Sequence, residues 1–224
     1  MTDVAVIRPG CTDYDQQHRI AGKLELPMNA VGQAQAAELT DTVRELHLSF
    51  LLYGGGGNAE ATAEHLADRL DLPVKARDAL CNQDQGLWEG LTVADVKKRY
   101  PKLEKTWRDD PETVCPPDGE SVGEALGRVR DALAKPLKKG KPFGVVAADP
   151  LATLVECAVT GQRPEFEGPL GHPRRCGSVT VVSTEGEVRE QAGVRGMSSE
   201  EVQTLSQSDM PAITPAAGPG EATR

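Results

Sequence analysis

Hydrophobic residues along this chain fall into two kinds of segment that alternate. Short apolar runs bounded by Gly or Pro occur at Val4-Ala5-Val6-Ile7, Phe50-Leu51-Leu52-Tyr53 and Phe143-Gly144-Val145-Val146-Ala147. Their length and unbroken apolarity suit parallel strands buried on both faces. Between them lie amphipathic stretches. Residues 30–46 predict a helix, with Val31, Ala34, Ala37, Leu39, Val43 and Leu46 close to the helical period. Residues 59–70 predict another, with Ala63, Leu66, Ala67 and Leu70 on one face. A short helix is expected over 92–99, capped by Thr92 and ending before Pro101. Residues 121–138 predict a helix with Ser121 as N-cap and Glu124 completing a capping box. A further helix is expected over 151–160. Val74-Lys75-Ala76 reads as an edge extension of the sheet, and Val179-Thr180-Val181-Val182-Ser183 as a strand of alternating type. Strands alternating with helices predict an α/β domain: three layers, α/β/α, around a mostly parallel sheet.

The domain is expected over residues 1–205, its last turn carrying Val202 and Leu205. Residues 206–224 are rich in Pro, Ala, Gly and Ser and are expected to form a disordered tail, because they cannot bury enough surface to offset chain entropy. No internal repeat is visible.

Charge narrows the function classes. The 224 residues hold 25 Lys plus Arg against 34 Asp plus Glu, a formal net charge of −9. A general nucleic-acid binder needs a basic surface to displace counterions, so nucleic acid is not an expected partner. Binding to an anionic membrane is disfavoured for the same reason, and no apolar run has the length of a membrane span. Met1-Thr2-Asp3 leads straight into a strand without the basic-then-apolar pattern of a signal peptide, so the cytoplasm is the expected location. The five cysteines (11, 81, 115, 157 and 176) are odd in number and scattered, which does not read as a disulfide framework. The four histidines (18, 47, 65 and 172) make no pair at ligand spacing. Neither a metal nor a cofactor is expected.

Several motifs stand in a fixed order. They are Arg8-Pro9-Gly10-Cys11-Thr12, Arg19-Ile20-Ala21-Gly22, Leu26-Pro27-Met28-Asn29 with Gly32-Gln33-Ala34-Gln35-Ala36, Thr62-Ala63-Glu64, Gly86-Leu87-Trp88-Glu89-Gly90-Leu91-Thr92, Pro117-Asp118-Gly119-Glu120-Ser121 with Arg128-Val129, and Gly177-Ser178-Val179. Over residues 3 to 186 this series resembles the histidine phosphatase superfamily, the phosphoglycerate-mutase-like proteins. The segment Gly-x-Trp-Glu-Gly is its most specific piece. The resemblance implies a phosphoglycerate-mutase-like fold, with a pocket beyond the carboxyl ends of the strands.

The resemblance also implies which groups should act there, and most of those positions differ. The residue between the arginine and the glycine of the first loop is a histidine that takes up the phosphoryl group; here it is Pro9, which has no nucleophilic atom. A second arginine, expected four residues before Thr62, is Asn58. A glutamate acting as general acid, expected four residues before Gly86, is Asn82. Ser-His-Gly-Gly aligns with Ala147-Ala148-Asp149-Pro150, so the second histidine is Ala148. What remains is a vestigial pocket of Arg8, Gly10, Cys11, Thr12, Arg19 and Asp149, in which Arg8 and Asp149 can form a structural ion pair.

Two features leave alternatives. Gly54-Gly55-Gly56-Gly57 can cradle an anion with backbone N–H groups, or it can be a loop eroded after its side chains lost their task; the second reading is favoured. Cys11 and Cys81 border the pocket, as reactive thiols or, the favoured reading, as small apolar fillers. The pattern Cys157-x5-Arg163 matches the phosphate loop of cysteine-dependent phosphatases, but it falls inside the helix expected over 151–160 and is rejected. The resulting expectation is a catalytically inactive member of the family that works by binding, assembly or regulation, through a protein partner or self-association. The alternative is a phosphatase with weak or refitted activity on Cys11, Asp149 or Cys81.

Overall fold

The computed structural model describes residues 2–166 and 176–191. The helical turn expected at Val202 and Leu205, and the tail 206–224, lie outside those residues. Strands β1 (Asp3–Ile7), β2 (Leu51–Tyr53), β3 (Val74–Ala76), β4 (Phe143–Val146), β5 (Val179–Ser183) and β6 (Val188–Glu190) form one sheet in the order β3-β2-β4-β1-β5-β6. The first four in that order run parallel, β5 runs antiparallel to β1, and β6 antiparallel to β5. Helices are α1 (Asp13–Gln16), α2 (Ala30–Arg44), α3 (Gly57–Leu70), α4 (Val93–Arg99), α5 (Leu103–Asp109), α6 (Val122–Lys138) and α7 (Leu151–Thr160).

Two separate apolar clusters cover the two faces of the sheet, which makes the three layers. Val4, Val6, Leu52, Phe143, Val145 and Val182 point to one face, under Val96 of α4, Leu126 and Leu133 of α6, and Leu154 of α7. Ala5, Ile7, Leu51, Tyr53, Val146, Val179 and Val181 point to the other, against Leu39 and Val43 of α2 and Ala63 and Leu66 of α3. Alternation along each strand sends successive side chains into opposite clusters, so every position of β1, β2 and β4 save Asp3 is buried. The capping boxes at Thr92–Asp95 and Ser121–Glu124 are formed.

Two elements differ from the expectation in which residues they bury. In α2 the buried face is Gly32, Gln35, Ala36, Leu39, Thr40 and Val43, while Ala37 is exposed. The turn nearest the sheet end packs on loop backbone, so glycine and glutamine take inner positions that apolar periodicity assigns to neighbours. In β5 the alternation of Val and Thr does not mark a solvent face: all five residues are buried, because α2 covers one side and α7 the other. The antiparallel direction of β5 beside β1 brings its entry, Cys176-Gly177-Ser178, to the carboxyl end of β1.

The tryptophan motif is structural. Trp88 is 1% exposed in the core and packs on Tyr100. Its neighbours tie down the loop after α1: Glu89 accepts from Lys23 N at 2.9 Å, and Gly90 O accepts from Arg19 Nη1 at 2.6 Å. Among the described residues no helix is long and apolar enough to cross a membrane.

Candidate functional site

The loops that leave β1, β2 and β4 at their carboxyl ends surround a cavity of about 630 Å³. Its wall includes Arg8, Pro9, Cys11, Thr12, Arg19, Asn58, Cys81, Asn82, Ala148 and Asp149, so the fold gathers nearly all the positions singled out from the sequence. Gly10 is the exception. It lies behind the wall, where a Cβ would come 2.2 Å from the Gly32 carbonyl oxygen, so its role is close backbone packing against the start of α2.

Arg8 follows β1 into the interior and is 2% exposed. Its guanidinium faces two carboxylates. Nε donates to Asp149 Oδ2 at 2.7 Å and Nη2 to Asp149 Oδ1 at 3.2 Å, a forked pair. Nη1 donates to Glu156 Oε1 at 3.1 Å and to Thr180 Oγ1 at 3.4 Å. Burial alone lowers the pKa of a guanidinium, but the Asp149 and then the Glu156 carboxylates outweigh it and hold Arg8 above its ordinary value. The ion pair expected between Arg8 and Asp149 is present, and Glu156 joins it. The signal for Glu156 is its spacing: seven residues after Asp149, two helical turns, on the same side of α7.

The asparagines are occupied with backbone. Asn58 Nδ2 donates to Gly10 O at 3.0 Å, and Gly10 N donates to Thr62 Oγ1 at 3.2 Å, so α3 clamps the first loop from both sides. Asn82 Nδ2 donates to Asp149 O at 3.1 Å, while its Oδ1 accepts from Leu151 N at 3.3 Å and Gln83 N at 2.9 Å. Asp149 Oδ1 also accepts from Thr153 N at 3.3 Å. Pro150, at the N-cap of α7, offers no side-chain bond. Asn82 and Asp149 therefore take up the amides of the first turn of α7, groups that helix starts otherwise leave for an anion.

The glycine run is not uniform. A Cβ at Gly54 would lie 1.7 Å from Leu80 O and one at Gly57 2.6 Å from Leu26 O, so both are held by contact with neighbouring backbone. Gly56 has φ +123°, whereas Gly55 faces the cavity with room for a methyl group.

Three thiols reach the cavity: Cys11, Cys81 and Cys176. Sequence reasoning counted Cys176 but did not place it, since only the antiparallel course of β5 brings it here. The neighbouring Cys176 thiol, together with Gln35 and backbone N–H, lowers the Cys11 pKa against the opposing effects of burial and Asp15. Cys176 is pushed well up by Cys11 and by burial. Cys157 lies in α7, and burial followed by the Glu156 charge pushes it up to about 12. It is an inert interior thiol, with Gly161 ending its helix in the left-handed conformation. No group of three or more His, Cys, Asp or Glu residues among those described is arranged to hold a metal ion.

A mostly parallel sheet between two helical layers, with a cavity built from the loops after β1, β2 and β4, defines an α/β protein of the phosphoglycerate-mutase-like class. The model of the histidine phosphatase superfamily, branch 1, matches residues 4–193, and the chain belongs to that superfamily. The uncharacterized phosphatase PhoE of Bacillus subtilis is 34% identical over 135 residues, which are 60% of this chain and 64% of PhoE. The bifunctional protein Rv2228c of Mycobacterium tuberculosis is 33% identical over 130 residues, 58% of this chain and 35% of that protein. The chain thus spans less than two thirds of the length of these relatives. Among solved structures, a mycobacterial glucosyl-3-phosphoglycerate phosphatase complexed with VO3 superposes with a TM-score of 0.71 at 23% identity, covering 85% of this chain and 98% of that one. A second, mycobacterial hydrolase 2, gives 0.73 at 21% identity over 91% and 96%.

Proposed function

We propose that this protein is a catalytically inactive member of the superfamily, acting through binding, assembly or regulation in the cytoplasm rather than through phosphotransfer. The observation that carries this reading is the state of Arg8. The one cation retained from the expected phosphate-gripping set donates its fork to Asp149 and its remaining nitrogen to Glu156. A phosphate entering the cavity meets a guanidinium already neutralised and helix amides already bonded. Beside it stand Pro9 and Ala148, which can neither accept nor stabilise a phosphoryl group. The binding role itself rests on the retained fold and cavity; a protein partner or a second copy of the chain is the expected occupant.

Purified protein incubated with p-nitrophenyl phosphate or with phosphoglycerates is expected to release no phosphate above buffer. Turnover that co-elutes with the protein through repurification overturns the reading. Reversion sharpens the test. Pro9→His alone is expected to yield no phosphohistidine by mass spectrometry with a phospho-donor, because a single missing transition-state donor already costs about 10²–10³ in rate. Pro9→His combined with Asn58→Arg, Asn82→Glu, Ala148→His and Asp149→Gly is expected to yield some.

The second reading, a weak or refitted phosphatase, is favoured by one observation: the lowered Cys11 pKa beside a cavity of substrate size. It predicts turnover that Cys11→Ser abolishes.

A further inference from the structure

The loop after β1 and the entry to β5 are stitched together beside the cavity. Arg8 N donates to Ser178 O at 2.8 Å and Gly177 N to Pro9 O at 2.9 Å. One buried side chain holds both segments from beneath. Gln35 Oε1 accepts from Cys11 N at 3.0 Å, and the bare Cα of Gly177 packs on Gln35, where a Cβ would come within 2.7 Å of the Gln35 Cβ. The residues flanking this stitch are Cys11 and Cys176. Both are partly exposed, both line the cavity, and each thiol is the largest influence on the ionisation of the other. Neither belongs to a phosphotransfer set, and nothing in the reading above uses the pair.

We propose that Cys11 and Cys176 form a peroxide-reactive dithiol that closes to an intramolecular disulfide at the mouth of the cavity. The Cys11 thiolate attacks one oxygen of a hydroperoxide. A sulfur–oxygen bond forms, the oxygen–oxygen bond breaks, and the departing alkoxide or hydroxide takes a proton, leaving a sulfenic acid on Cys11. The Cys176 sulfur then attacks the Cys11 sulfur. The sulfur–sulfur bond forms, the sulfur–oxygen bond breaks, and water leaves with the Cys176 proton. The sum is two thiols and one hydroperoxide giving one disulfide, one alcohol or water, and one water.

The assignment of roles follows from the environment. Cys11, the thiol whose pKa is lowered, is the more easily ionised of the two, which suits the attacking sulfur. Cys176, pushed up by Cys11 and by burial, stays protonated, which suits the resolving one. Asp15 opposes charge on both sulfurs, so an anionic electrophile is disfavoured and a small neutral hydroperoxide fits. The disulfide would brace the first loop to β5 and alter the cavity wall. Oxidation of the pair does not depend on whether the chain is a phosphatase.

Hydrogen peroxide is added to the reduced full chain, and the products are mapped by mass spectrometry without reduction. The free-thiol count is expected to fall by two of the five, with one peptide link, Cys11 to Cys176, formed before the exposed Cys115 reacts. Cys176→Ser is expected to accumulate a Cys11 sulfenic acid that dimedone traps, and Cys11→Ser to form no link. A link from Cys11 to Cys81, links only between chains, oxidation of Cys115 ahead of Cys11, or no oxidation at all would each overturn the proposal. The wild-type map decides the matter even where a variant fails to fold.

Discussion

Asp149→Ala tests whether the cluster around Arg8 is a structural unit rather than a dormant phosphate site. The substitution removes both oxygens of the forked pair, at 2.7 and 3.2 Å, and the acceptor for Thr153 N. It leaves a guanidinium that is 2% exposed with Glu156, at 3.1 Å, as its one remaining carboxylate among the described residues and the Thr180 hydroxyl at 3.4 Å beside it. Removing one partner of a buried ion pair costs about 3–5 kcal/mol. The Asp149 side chain is 14% exposed, so water can enter its place, and Glu156 still compensates one nitrogen. The expected loss therefore falls at the lower end, about 3 kcal/mol. For a domain of this size that corresponds to a fall in Tm of roughly 6–12 °C. A total stability of about 5–15 kcal/mol leaves the variant folded. Urea denaturation followed by tryptophan fluorescence measures it, with an unchanged m-value as the check on two-state behaviour. The same variant frees Arg8 at the cavity wall, so inorganic phosphate should stabilise it, by about 1.4 kcal/mol at ten times its Kd. Wild-type protein should not respond. A loss below about 1 kcal/mol, or a wild type that phosphate stabilises as much as the variant, would refute the argument that Asp149 holds Arg8.

Arg128 on α6 donates to both Glu120 oxygens and to the carbonyls of Ala79, Cys81 and Asn82. Arg128→Ala should cost about 2–4 kcal/mol by denaturation, and Arg128→Lys should recover little because one ammonium cannot serve that fork. Gly54→Ala should unfold the protein or cost several kcal/mol, since its Cβ would lie 1.7 Å from Leu80 O. Gly55→Ala, with its nearest neighbour at 3.5 Å, should change Tm by less than a degree or two, and equal effects at both positions would remove the distinction between packed and free glycines. Cys157, pushed up to about 12, stays protonated through mildly alkaline pH, so iodoacetamide should label Cys115 on the native chain and spare Cys157 in a mass-spectrometric map.

The parts of the fold legible in the sequence are those set by local rules. Strands β1, β2 and β4 are short apolar runs, α4 and α6 begin at capping boxes, and α7 ends at Gly161 in the left-handed conformation. The parts that were not legible depend on what packs where. Helix α5 (Leu103–Asp109) begins at Lys102 without a side-chain cap, and β6 (Val188–Glu190) is an exposed edge of mixed polarity held by its ladder with β5. Gln35 is buried for its contact with Cys11 N, which no periodicity announces. The direction of β5 decides that Cys176 meets Cys11, and a strand pattern of residues carries no direction. At the site, the resemblance pointed to loop positions that the fold brings to one cavity, but Glu156, Gln35 and Cys176, and what each residue is bonded to, come only from the structure.

Those bonds give the differences at the site a common logic. Asn58, Asn82 and Asp149 belong to one set of linked bonds. Asn58 holds the carbonyl of Gly10, Asn82 holds the carbonyl of Asp149 and an amide of α7, and Asp149 holds Arg8 and another amide of α7. Each makes an inward bond, so the buried cation and the helix start find their partners within the fold. Such a network is coupled: changing one member strands the partner it satisfied, and the energies do not add. A cavity of about 630 Å³ lies above it, with walls braced by these bonds. On the reading proposed above, phosphotransfer is gained only when the loop positions change together, because each of these residues is bonded to the backbone or side chain that another loop supplies.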